Sequence, residues 1–127
     1  MRSRKRWILL KHVESSSNGS DYHFDLLLEE EHNCRSWRLN KMPEKDGSPL
    51  DIIAVSPHDL SWLETEGRYV SGGRGWASPV ATGYFLGNLP SEFGSAFRIK
   101  LFGDHLSGTL EIKESQCIFR RNGLFDF

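Results

Sequence analysis

The chain has 127 residues, 38% hydrophobic and 12% aromatic, enough apolar mass for one core and too little for two, so a single domain over residues 1 to 127 is expected. With 16 basic and 17 acidic side chains the formal charge is -1, which excludes a global field that would draw in nucleic acid or anionic lipid from a distance. Cys34 and Cys117 each stand alone, which excludes a disulfide framework and a zinc cluster; both are expected to be reduced and buried.

The opening "MRSRKRWILLKH" is basic, but its apolar run from Trp7 to Leu10 is too short for a secretion signal or a spanning helix. A soluble cytoplasmic protein without membrane contact is expected. Runs rich in β-branched and aromatic residues follow at Trp7 to Val13, Tyr22 to Glu30, Cys34 to Asn40, Leu50 to Val55, Val80 to Leu86, Phe97 to Phe102, Leu106 to Ile112 and Cys117 to Arg121. Polar loops at 14 to 20, 43 to 49 and 71 to 75 punctuate them. This spacing predicts a mainly β protein, a compact antiparallel β-barrel of about eight strands with one or two short helices.

The second run, "DYHFDLLLEEE" at 21 to 31, alternates. As a strand it puts Tyr22, Phe24, Leu26 and Leu28 on one face and His23, Asp25 and Leu27 on the other. His23 and Asp25 then lie about 6 to 7 Å apart along the strand, pointing the same way. His12 closes the first run before a polar loop, so it can face the strand that carries them. Two imidazoles and a carboxylate, with positions left for water or substrate, suit manganese, zinc or iron(II) and not calcium, which prefers oxygen ligands. The same spacing also fits a His23–Asp25 pair on a solvated sheet face, and spacing alone leaves both open. His32 and His105 fall in turns and are expected to be solvated.

"SPHDLSWLETEG" at 56 to 67 breaks the β pattern. Ser56 as N-cap, Pro57 at the first helical position, Asp59 three residues after the cap and Gly67 beyond the end predict a short helix. His58 would sit in its first turn with Trp62 one turn on, and the unpaired N–H groups there could hold an anion. "VSGGRGW" at 70 to 76 gathers three glycines around Arg74; it reads either as a backbone nest with a guanidinium for a phosphate or as a plain tight turn. Trp76 beside it is the best placed tryptophan to stack on a base, whereas Trp37, inside a run, is expected in the core.

Five stretches in order, "KH" at 11 to 12, "HFDLLLE" at 23 to 29, "SWRLNKMP" at 36 to 43, "AVSPHDLSWLETEG" at 54 to 67 and "LFGDHLSGTLEI" at 101 to 112, resemble the 3′-phosphoesterase domain of bacterial DNA ligase D. The resemblance spans residues 6 to 121. It implies a β-barrel with a polar groove and a manganese site, and removal of a 3′-phosphate or 3′-terminal ribonucleotide from DNA or RNA-tipped DNA to leave a 3′-hydroxyl for a ligase or polymerase. By motif match, His12, His23 and Asp25 fall on the metal ligands and His58 on the histidine that works against the scissile phosphate. Three positions depart from the family pattern: Leu27 and Leu50 stand at or near family arginines, and Trp62 stands for a tyrosine. The loop from His12 to His23 is also longer than the family's. A leucine supplies no phosphate donor, and an indole only donates. Arg74, Arg35 or Lys41 is then expected to supply the missing cation, with Arg74 the nominee because its loop falls on the family's glycine-rich turn. The alternative is a catalytically weakened barrel that binds nucleic-acid ends or a protein.

Overall fold

In a computed structural model, which describes residues 4–15 and 21–121, the strands are β1 (Lys5–Val13), β2 (Tyr22–Glu29), β3 (Cys34–Leu39), β4 (Leu50–His58), β5 (Arg68–Tyr69), β6 (Trp76–Leu86), β7 (Phe97–Gly103), β8 (Gly108–Lys113) and β9 (Gln116–Arg121). Most of the expected 14 to 20 loop lies outside the described residues. Alternate side chains fill one core: Trp7 and Leu9 from β1, Phe24, Leu26 and Leu28 from β2, Trp37 and Leu39 from β3, Leu50 and Ile52 from β4, then Ala81, Phe85, Ile99, Leu101, Leu110, Ile112, Cys117 and Phe119. Each large aliphatic or aromatic residue buried there stabilises by about 1.5 to 3 kcal/mol relative to exposure.

Pairing is antiparallel throughout, in the order β1-β2-β3-β4-β9-β8-β7-β6-β5, and a further β1–β6 ladder closes eight strands into a barrel with β5 appended. The expected barrel is therefore the observed one. In the closing ladder Leu9 faces Ala81 and Leu10 faces Pro79, so Val80 is an extra residue. Pro79, which has no N–H, sits at that irregularity. No helix among the described residues is long and apolar enough to cross a membrane.

The expected helix needs correction. Residues 56 to 58 continue β4, and the only helical turn there is a 3-10 segment, Leu60–Glu64, preceded by Asp59, whose side chain makes no capping bond. The cause is tertiary: Cys34 pairs with His58 and Ser36 with Val55, so Ser56 and Pro57 oppose Arg35 alone in a β-bulge. The proposed N-terminal anion site at His58 falls with the helix. Instead, Leu60, Trp62 and Leu63 roof a second apolar cluster of Ile8, Leu10, Leu27 and Cys34 on the outer face of the barrel. That roof explains the unbroken runs in β1 and β2, which are buried on both faces. Boundaries also shift, β6 starting at Trp76 rather than Val80 and β8 at Gly108 rather than Leu106, and β5 had no signal in the sequence.

Both cysteines are buried, and that burial pushes each thiol up to about 11. At pH 8 only about one molecule in a thousand then carries a given thiolate. A disulfide reagent is expected to leave the native chain unmodified at pH 8 and to titrate two thiols after denaturation; fast labelling of native protein would show that the thiols are accessible.

Candidate metal centre

Because Phe24, Leu26 and Leu28 point inward, His23, Asp25 and Leu27 point out. The β1–β2 register sets His12 directly across from His23, and Asp25 between Leu10 and Arg38. His12, His23 and Asp25 are 8%, 6% and 5% exposed. Polar side chains this buried need partners.

His12 Nδ1 lies 3.2 Å from His23 Nε2, which lies 3.3 Å from Asp25 Oδ2. One ligand atom from each of the three falls within 4.8 Å of the others. Donors held at about 2.1 Å from one ion stand about 3.0 to 3.4 Å apart in octahedral or tetrahedral geometry. Among the described residues Asp25 Oδ1 is buried with no hydrogen-bond partner, and the Arg38 guanidinium approaches only to 3.9 Å. A buried carboxylate oxygen without a donor is what a cation would satisfy. These residues fit a divalent metal.

The outer contacts prepare the ligands. His12 Nε2 stands 2.7 Å from the Arg74 carbonyl, which can only accept, so Nε2 carries the proton and Nδ1 turns its lone pair toward His23. Burial lowers the pKa of His23; Asp25 opposes that shift, while Arg38 and His12 add to it. The imidazole is therefore neutral near pH 7, as a ligand must be. Arg74 reaches this position through a tight turn, with Gly72, Gly73 and Gly75 at φ 77°, 67° and 113°. A Cβ on Gly75 would strike the Val13 carbonyl, so only glycine lets the loop descend onto His12.

His58 reaches the same face through the bulge. Leu50 and Ile52 face the core, so an unbroken β4 would bury position 58 there as well; the extra residue reverses its side. Ser36 Oγ donates to the Cys34 carbonyl at 2.9 Å and lies 2.9 Å from His58 Nδ1. With its proton spent on the carbonyl, Ser36 accepts from Nδ1–H, which leaves the lone pair on Nε2. Burial is the first cause of a lowered pKa at His58, with Asp25 opposing. Trp62 meets the ring edge-to-face at 5.9 Å.

His12, Asp25, His58, Arg38, Arg68 and Arg74 line one groove of about 650 Å³. The Arg74 guanidinium bonds the Ser71 carbonyl at 2.7 Å and its hydroxyl at 3.1 Å. Arg68 lies 3.4 Å over the Trp62 ring, and its Nε is buried without a partner. Arg38 and Arg68 were missed in the sequence. Arg38 shares outward parity with Asp25, a signal visible only once β2 and β3 are registered; Arg68 lies on a strand of two residues, too short to leave a pattern. Arg35 and Lys41, the other candidates, do not line the groove: Arg35 pairs with Glu30 at 2.7 Å and Lys41 with Glu44 at 3.6 Å. Leu50 sits in the main core and Leu27 under the 3-10 roof, both away from this wall. Trp37 is in the core and Trp76 is 40% exposed, while His32 and His105 are exposed turn residues. No protein-family model and no curated protein matches the chain.

Proposed function

We propose that the groove is the active site of a metal-dependent 3′-end-processing phosphoesterase, which removes a 3′-phosphate or 3′-terminal ribonucleotide from DNA and leaves a 3′-hydroxyl for a separate ligase or polymerase. The observation that carries the reading is a buried cluster of His12, His23 and Asp25 that opens, through His12 and Asp25, on a groove also lined by His58 and three arginines. His12, His23 and Asp25 would hold the ion, and their mixed nitrogen and oxygen set suits Mn²⁺. When bound, it would polarise a phosphoryl oxygen and lower the pKa of a bound water.

The remaining work belongs to the chain. Arg38 and Arg68 hold the phosphate oxygens, with Arg74 behind them at the mouth of its turn. His58, neutral and with its Nδ1 proton on Ser36, offers Nε2 to take a proton from the attacking water as the new P–O bond forms and the bond to the 3′ oxygen breaks. The released 3′ oxygen is protonated in turn. Purified protein with Mn²⁺ should convert a recessed 3′-phosphate primer to 3′-hydroxyl, and His58→Ala should remove that product. A chain that makes no product with any divalent metal would defeat the proposal. Salt-sensitive binding of the same primer without product would instead favour an end-binding module, a reading supported by Leu27 and Leu50 lying in apolar clusters.

Ser36→Ala isolates the positioning of His58. Turnover is expected to fall about 10- to 100-fold with little change in KM, the cost of losing an outer partner that orients a working side chain. Steady-state kinetics on the primer check this, and an unchanged kcat would detach Ser36 from the mechanism.

A further inference from the structure

A second cavity, of about 610 Å³, adjoins the metal groove. Val55 and Pro57 line both, so a single strand separates them. The cavity exists because the barrel is poorly stitched here: β4 meets β9 only at Leu50–Cys117 and Asp51–Gln116, with one further bond from Ile52 N–H to the Ser115 carbonyl at 2.9 Å. Beyond Ile52, β4 pairs with β3 alone among the described residues. Alternate residues of a strand aim both backbone polar groups at the same edge. Ala54, in phase with Ile52, therefore turns its N–H and C=O into the cavity with no strand opposite.

The lining is chemically specific. Trp37 and Ile112, 7% and 4% exposed, form an apolar floor. Phe93 stands at the wall 73% exposed, with the Arg35 guanidinium 4.6 Å from its ring centroid. A flat aromatic face beside one backbone donor and one backbone acceptor matches a planar heterocycle that carries its own acceptor and donor along one edge. Ser36 lines this cavity while its hydroxyl holds His58 in the neighbouring groove.

We infer that this cavity binds the nucleobase of the nucleotide whose phosphate enters the metal groove, stacked on Phe93 and paired edge-on with the Ala54 backbone. The identity of the neighbouring phosphate rests on the phosphoesterase reading. An extended peptide adding to the β4 edge is the competing occupant, but strand addition needs a row of free backbone groups. Here that row is Ala54, after which the bulge begins and Pro57 has no N–H to offer.

The test uses adenosine, guanosine, cytidine and uridine, which carry no phosphate, titrated into the ¹⁵N-labelled full chain. Amide shifts are expected at Ala54, Phe93 and Ser95 and not at His12 or His23. Phe93→Ala, at an exposed position that the fold tolerates, should weaken nucleoside binding about 5- to 140-fold, the range for losing one aromatic stacking partner. No shift at the cavity for any nucleoside, or unchanged affinity in Phe93→Ala, would overturn the inference. Shifts along Ile53 to Val55 with a capped peptide of alternating valine and threonine, and none with nucleosides, would overturn it in favour of strand addition. Nucleoside binding upholds the pocket even if the primer assay gives no product, and primer turnover without nucleoside binding removes the pocket while sparing the phosphoesterase.

Discussion

Asp25→Asn is expected to abolish tight divalent-metal binding and, with it, the turnover of 3′-phosphate ends. Asp25 brings the only negative charge of the three-residue cluster, and its Oδ1 is the buried atom without a hydrogen-bond partner. An amide of the same shape keeps a neutral oxygen but loses the charge that attracts the ion. Affinity for Mn²⁺ should drop more than about 100-fold, beyond the 10- to 100-fold that follows when only an outer partner of a ligand is removed. Without metal the sign reverses. A neutral amide in place of this buried carboxylate should stabilise the metal-free fold by about 1 to 3 kcal/mol, because an incompletely paired charge costs more to bury than a neutral polar group.

Calorimetric titration with Mn²⁺ and thermal unfolding with and without the ion read the two effects separately. Equal Mn²⁺ affinity in Asp25→Asn and the parent would show that the cluster is not a metal site. The pH dependence has a defined direction as well. Burial lowers the pKa of His23, so its protonation, which competes with metal, sets in only below the ordinary imidazole range, and the share of the affinity that His23 supplies is lost under that range.

Leu27→Arg, the change that would restore the arginine of the ligase D pattern, is expected to unfold the protein rather than activate it. Leu27 has no exposed surface and packs with Ile8, Leu10 and Cys34 beneath Leu60, Trp62 and Leu63. A guanidinium there overfills a packed apolar cluster and carries a charge out of water, at a cost of about 3 to 5 kcal/mol, a large part of the stability of a domain this size. Leu27→Met, which conserves volume, should cost less than about 1.5 kcal/mol. Denaturant titration of the two variants measures the difference. A Leu27→Arg protein as stable as the parent would mean that the 3-10 roof opens easily. The arginines that line the groove stand instead on β3 and β5, where Arg38 and Arg68 reach it without crossing an apolar cluster.

The inward and outward faces of β2 were legible in the sequence because side-chain alternation along a strand is a local property. His23 and Asp25 share a face in any extended reading, and so does the buried set of Phe24, Leu26 and Leu28. The barrel class followed from the spacing of such runs. His12 joins the pair only through the β1–β2 register, and Arg38 only through β2–β3, since each lies many residues from its partner along the chain. Ser56 and Pro57 carry the local signature of a helix start, yet pairing of β4 with β3 makes them a bulge, and that bulge rather than a helix turns His58 to the groove lined by His12 and Asp25. The weak β4–β9 seam and the two-residue β5 have no local signature at all. Alternation is decided by each residue's own backbone, so the sequence alone determines it; register, bulges and gaps are decided by which distant strand supplies hydrogen bonds and burial, and only the folded barrel resolves that competition.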